Sequence, residues 1–143
     1  MELDDLYQEV ILDHCKKPRN FGPMPGCTHD ADGYNPLCGD QVHVRLRVLN
    51  NVVEDAKFEG CGCAISTASA SIMTELVKGK TKEEIEELAQ KFREVLTENK
   101  EHELGELEVL CGVRAFPMRV KCATLAWHAV LSALVEQETA PDA

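Results

Sequence analysis

Seven cysteines stand at positions 15, 27, 38, 61, 63, 111 and 122 of a 143-residue chain. Three of their neighbourhoods combine residue types that could do chemistry. In NPLCGDQV a thiol and a carboxylate, Cys38 and Asp40, flank one glycine; GCGC supplies Cys61 and Cys63; and Cys122 follows Arg119 and Lys121. Thiolates with a carboxylate suit zinc or an iron-sulfur centre. A thiolate beside cations is also a nucleophile. An odd number of cysteines cannot all pair internally, and at this density in a reducing compartment metal ligation or thiol reactivity is favoured over disulfides.

These residues are useful together only if the chain gathers them. Val42, Val44, Leu46 and Val48 alternate with His43, Arg45 and Arg47, the period of a strand with one buried face. Asn50 and Asn51 suit a tight turn, so Val52 to Glu59 returns as the second arm of a hairpin. Because antiparallel strands lie ~4.8 Å apart, the two hairpin ends bring Cys38 beside the Cys61 to Cys63 loop. Pro117 suits the first turn of a long helix reaching about Gln137, which carries Cys122 in its early turns and is able to bring it to the same place. Its amino end would favour a thiolate there. Three cysteines with Asp40 then form an S₃O donor set, with Cys61 and Cys63 equally eligible as the middle ligand. Gly39 and Gly62 allow close backbone approach.

The remaining elements complete an α+β outline. A helix covers Glu2 to Lys17 and stops at Pro18; a loop-rich stretch follows, with room for a short strand around Cys27 to Asp32. After the hairpin come a small-residue helix through AISTASAS, stopping near Gly79, and an amphipathic helix opened by a Thr81/Glu84 capping box. A short helix is expected from Leu104 to Cys111, ending at Gly112. The reading is one domain over residues 1–143, with helices laid on one face of a small antiparallel sheet.

The other candidates have plainer explanations. Cys15, Cys27 and Cys111 read as small hydrophobes. His14, His43 and His128 read as solvated or packed side chains, and the acidic helix from Thr81 as a solvated face. No C-x-x-C pair is present, and the H-x-E and P-C-x-x-C signatures of a zinc deaminase are missing. The net charge of −10 disfavours nucleic acid; ten acids and four bases between Thr81 and Glu108 supply −6 of it. No apolar run approaches the roughly 20 residues of a membrane helix, and the acidic start MELDDLYQEV is unlike a signal peptide, so the expected compartment is the cytoplasm.

The segments NPLCGD, DAKFEGCGCAISTASAS and GVRAFPMRVKCATLAW, with LYQEVILDHCKKPRNFG near the start, closely resemble the U-type iron-sulfur cluster assembly proteins, the IscU, NifU amino-terminal and SufU group. The resemblance is nearest to the SufU branch: Lys121 stands where IscU-type proteins have a histidine before the last ligand cysteine, and extra helical residues at about 79–108 look like that branch's insertion. It implies a three-stranded antiparallel sheet with helices. It also implies metal ligands Cys38, Asp40, Cys63 and Cys122, with Cys63 preferred to Cys61, and Cys38 as the sulfur acceptor. The implied cofactor is zinc, or alternatively iron or a transient [2Fe-2S] cluster on the same ligands. The implied partner is a cysteine desulfurase of the SufS kind, with a downstream scaffold or apo-proteins as recipients. Neither nucleic acid nor a membrane is expected as a partner.

Overall fold

Alternating hydrophobicity builds the centre of the molecule. In the computed structural model, which describes residues 5–36, 39–98 and 100–139, the run containing Val42, Val44 and Leu46 is strand β2 (Asp40–Leu49). These three side chains are buried, whereas Gln41 and Arg47 are exposed and His43 and Arg45 half-buried. Strand β3 (Val52–Cys61) returns antiparallel, with Val53, Ala56 and Phe58 buried. The turn between them holds Asn50 at φ 54° and Asn51 at φ 66°, the left-handed pair that a two-residue hairpin of matching twist requires.

A third strand, β1 (His29–Asn35), pairs antiparallel with β2, giving the order β1-β2-β3. It begins later and runs further than the stretch around Cys27 to Asp32 expected from sequence. His29, Asp30, Asp32 and Gly33 carry little strand propensity, and pairing to the ready-made edge of β2 decides the extent of β1. Its last residue, Asn35, lies opposite Asp40.

Among the described residues four α-helices accompany the sheet: α1 (Asp5–Lys16), α2 (Ala64–Val77), α3 (Lys82–Thr97) and α4 (Pro117–Thr139). Helix α4 packs on β1 and β2, α2 packs on β3 and α4, and α1 lies on α2. The buried face of the sheet is therefore the face the helices cover. Gly33 lets α4 come close to β1, since an added Cβ there would stand 3.2 Å from Leu125 Cδ1 and 3.4 Å from the Ala129 Cβ. Pro117–Val135 is long and apolar enough to cross a membrane by length and composition, contrary to the sequence reading, and half of it is buried in the fold. Leu125, Ala126, Trp127, Ala129, Val130 and Ala133 on this helix belong to the core.

The Thr81/Glu84 capping box forms, and Ile85, Ala89, Phe92, Val95 and Leu96 give α3 its buried stripe. The segment expected as a short helix from Leu104 to Cys111 is instead a 3₁₀ run, Gly105–Ala115, that passes through Gly112. Gly105, at φ 62°, turns the chain into it, and Leu107, Val109, Leu110 and Val113 are buried, so packing holds the run past the glycine where propensity would stop it.

Candidate metal centre

Asp40 opens β2 on the buried side of the strand's alternation and is only 3% exposed. A carboxylate so enclosed needs partners. Its Oδ1 accepts a hydrogen bond from the Cys63 backbone N–H at 3.1 Å, and its Oδ2 lies 3.6 Å from the Cys63 Sγ as donor. Among the described residues it has no cationic neighbour in an ion pair.

Cys63 is the N-cap of α2. Its backbone is extended (φ −74°, ψ 173°) and its sulfur accepts the Ser66 N–H at 3.4 Å. That places the sulfur at the positive end of the α2 macrodipole. Gly62 makes the approach possible: a Cβ there would stand 2.9 Å from Ser66 Oγ and 3.0 Å from the Asp40 carboxyl. The strand imposes a similar demand at Gly60, φ 152°, where a Cβ would fall 2.2 Å from the Gln41 carbonyl oxygen.

Cys122 lies in the second turn of α4, 4% exposed, with its Sγ 3.7 Å from the Met118 carbonyl oxygen. It is past the first turn, where helix-terminal charge effects concentrate. The helix start that serves this site is therefore that of α2 at Cys63, not that of α4, a role the sequence reading missed. An extended thiol directly before a small-residue helix was the available signal.

The ligand atoms of Asp40, Cys63 and Cys122 all lie within 4.8 Å of one another. Zinc ligands at ~2.0–2.3 Å in a tetrahedron sit roughly 3.3–3.8 Å apart, so modest adjustment closes the three around one ion. Replacing the thiol protons by a divalent cation would also balance the buried carboxylate, and two sulfurs with one oxygen are donors that zinc accepts. The residues present thus fit the metal. Cys38, the remaining expected ligand, lies outside the described residues.

The other sequence candidates fall elsewhere. Cys61 ends β3, exposed and opposite Gln41. Cys15, Cys27 and Cys111 are half-buried free thiols outside the cluster, and burial pushes the Cys111 thiol pKa up. His43 lies on the open sheet face between Asp30 and Asp32, and His128 is exposed on α4. His14 is buried, with Nδ1 against Ser71 Oγ and Nε2 against Glu106. The Arg119 and Lys121 side chains are exposed and form no ion pair among the described residues.

Known proteins share both sequence and fold with this chain. It is 44% identical over 140 residues to the zinc-dependent sulfurtransferase SufU of Bacillus subtilis (strain 168), covering 95% of this chain and 94% of that protein. It is 44% identical over 136 residues to the iron-sulfur cluster assembly scaffold protein IscU of Streptococcus pyogenes serotype M1, covering 93% of this chain and 85% of that one. The crystal structure of the N-terminal part of a nitrogen-fixing NifU-like protein from Brucella abortus superposes with a TM-score of 0.86 at 28% identity, covering 94% of this chain and 96% of that chain. The family described as NifU-like N terminal domain matches residues 6–139. A match of that extent, on a fold that gathers Asp40, Cys63 and Cys122, means that the chain belongs to the NifU-like N-terminal domain family.

Proposed function

We propose that this protein works in iron-sulfur cluster assembly as a zinc-bound sulfur acceptor, taking persulfide sulfur from a cysteine desulfurase through Cys38. The observation that carries the reading is the convergence of Asp40, Cys63 and Cys122 within reach of one ion, in a chain 44% identical to a zinc-dependent sulfurtransferase. The proposed ligands are Cys38, Asp40, Cys63 and Cys122, in one domain with a helical insertion at about 79–108, acting in the cytoplasm.

Zinc, when bound, keeps the thiols deprotonated and sheltered until needed. The chain's own residues then divide the work. Asp40 would be the one oxygen ligand of the set, weak and exchangeable. Cys63 stands at the α2 N-cap with its sulfur accepting the Ser66 N–H, which suits a ligand that stays in place while Cys38 takes up the sulfur. The Cys38 thiolate attacks the outer sulfur of the desulfurase persulfide. A new S–S bond forms on Cys38, the donor S–S bond breaks, and the desulfurase cysteine leaves as a thiolate, so no outside oxidant or reductant enters. A downstream scaffold or apo-protein would receive the sulfur.

The test is desulfurase turnover with the zinc-loaded protein beside a zinc-loaded Cys38→Ala variant. Strong stimulation by the first and none by the second is expected; equal stimulation would remove Cys38 from the role. The scaffold reading draws on the 44% identity to an IscU scaffold protein, and places iron or a [2Fe-2S] cluster on the same ligands. It predicts visible absorption after anaerobic reconstitution with iron and sulfide, together with no response from the desulfurase.

A further inference from the structure

Between them, α3, the 3₁₀ segment and α4 form a groove of about 460 Å³. Leu96, Pro117 and Val120 give it an apolar wall, and Arg93, Arg114 and Lys121 bring one cation from each of the three elements. No carboxylate is among its described lining residues. In a chain with 25 acidic and 15 basic residues that is unexpected.

Some cations elsewhere have acidic partners, while others, Arg47, Lys57 and Lys80 among them, form no ion pair among the described residues. Arg19 pairs with Asp13, Arg45 with Glu59, Lys78 with Asp55 and Lys91 with Glu87. Arg114 and Lys121 form no ion pair or side-chain hydrogen bond among the described residues, and Arg93 reaches only the neutral Gln90 Oε1, at 2.8 Å. Convergent like charges repel unless an anion lies between them. Lys121 also lines an adjoining cleft of about 330 Å³ that includes Tyr34, Asn35 and Pro36, so the groove continues toward the end of β1, whose Asn35 faces Asp40.

We infer that this groove binds a small organic oxyanion carrying two or more negative charges. Its volume falls in the ~300–1,000 Å³ range of small-ligand sites, with apolar walls and a few convergent polar groups. Guanidinium groups from two elements suit a phosphate or carboxylate by paired hydrogen bonds. The −10 net charge opposes a large polyanion such as nucleic acid, whereas a compact anion meets only the local cations.

The test is titration of the full-length chain with 3-phosphoglycerate at low salt, read by amide chemical shifts and by calorimetry. Saturable shifts confined to the neighbourhoods of Arg93, Leu96, Arg114, Val120 and Lys121 are expected. The triple variant Arg93→Gln, Arg114→Gln, Lys121→Gln should bind at least 10-fold more weakly, while Arg47→Gln, Lys57→Gln, Lys80→Gln, with the same charge change elsewhere, should bind as the parent does. Absence of saturable shifts, shifts spread over the surface, or equal weakening in both triple variants would overturn the inference. So would binding of an oligoglutamate peptide without binding of 3-phosphoglycerate. The parent protein's shift map decides the matter even if a variant folds poorly.

Discussion

Two clusters among the described residues bring three candidate ligand atoms within 4.8 Å of one another: Asp40, Cys63 and Cys122 in one, His14, Glu75 and Glu106 in the other. Distance alone does not distinguish them; what the donors already hold does. In the second, both His14 nitrogens are engaged, Nδ1 with Ser71 Oγ at 2.7 Å and Nε2 with Glu106 at 3.1 Å. The Arg19 backbone N–H also binds Ser71 Oγ, and the Arg19 guanidinium interacts favourably with Glu75 and Glu106. That cluster is a satisfied clamp joining α1, α2 and the 3₁₀ segment. In the first, the buried carboxylate and the Cys63 thiol have chiefly each other, leaving ligand atoms that a cation would complete.

The largest expected effect separates the two directly. Asp40→Ala or Cys63→Ala should weaken zinc binding by roughly 100-fold or more, since even loss of an outer-shell partner costs ~10–100-fold. Glu75→Gln and Glu106→Gln should leave affinity and stoichiometry unchanged in competition titrations. A second zinc lost with Glu106→Gln would break the comparison.

Gly62→Ala should follow, weakening zinc binding about 10-fold or more by pushing the Asp40 carboxyl aside. Parent-like affinity would mean that the close approach at Gly62 is unimportant. His14→Ala should instead cost about 1–3 kcal/mol of folding stability, because it removes a buried side chain and one of the two partners of the Ser71 hydroxyl, with zinc affinity untouched. Denaturant unfolding of the zinc-free protein measures it.

Thiol labelling sharpens the contrast further. Exposed Cys61 should react several-fold faster with iodoacetamide than Cys111, whose thiol pKa is raised by burial, and zinc should protect Cys63 and Cys122 alone of these four. The smallest effect belongs to Asp13, which Arg19 holds below the ordinary 3.8. A depressed carboxyl pKa contributes stability that is full above 3.8 and is lost as pH falls through the lower folded value. Asp13→Asn should therefore lower Tm slightly at pH 7, and the difference should close as pH drops below 3.8.

Local rules made several elements legible in the sequence. Val42, Val44 and Leu46 marked β2, Asn50–Asn51 the hairpin turn, Thr81 with Glu84 the start of α3, and Pro117 the start of α4, because each signal acts within a few residues. The extent of β1 and the 3₁₀ run through Gly112 lay beyond such rules, since strand pairing and burial outweighed weak local preference. The site divides in the same way. Residue type and spacing singled out Asp40, the GCGC thiols and Cys122 as candidate donors and pointed to the chemistry of a soft-ligand metal site. They left Cys61 and Cys63 open and the family resemblance preferred Cys63; the tertiary structure puts Cys63 against Asp40. Strand β3 keeps its register to Cys61 opposite Gln41, and the chain must turn at Gly62 before Cys63 can cap α2. The groove of Arg93, Arg114 and Lys121 likewise exists only once α3, the 3₁₀ segment and α4 have packed, because each element supplies one of its cations.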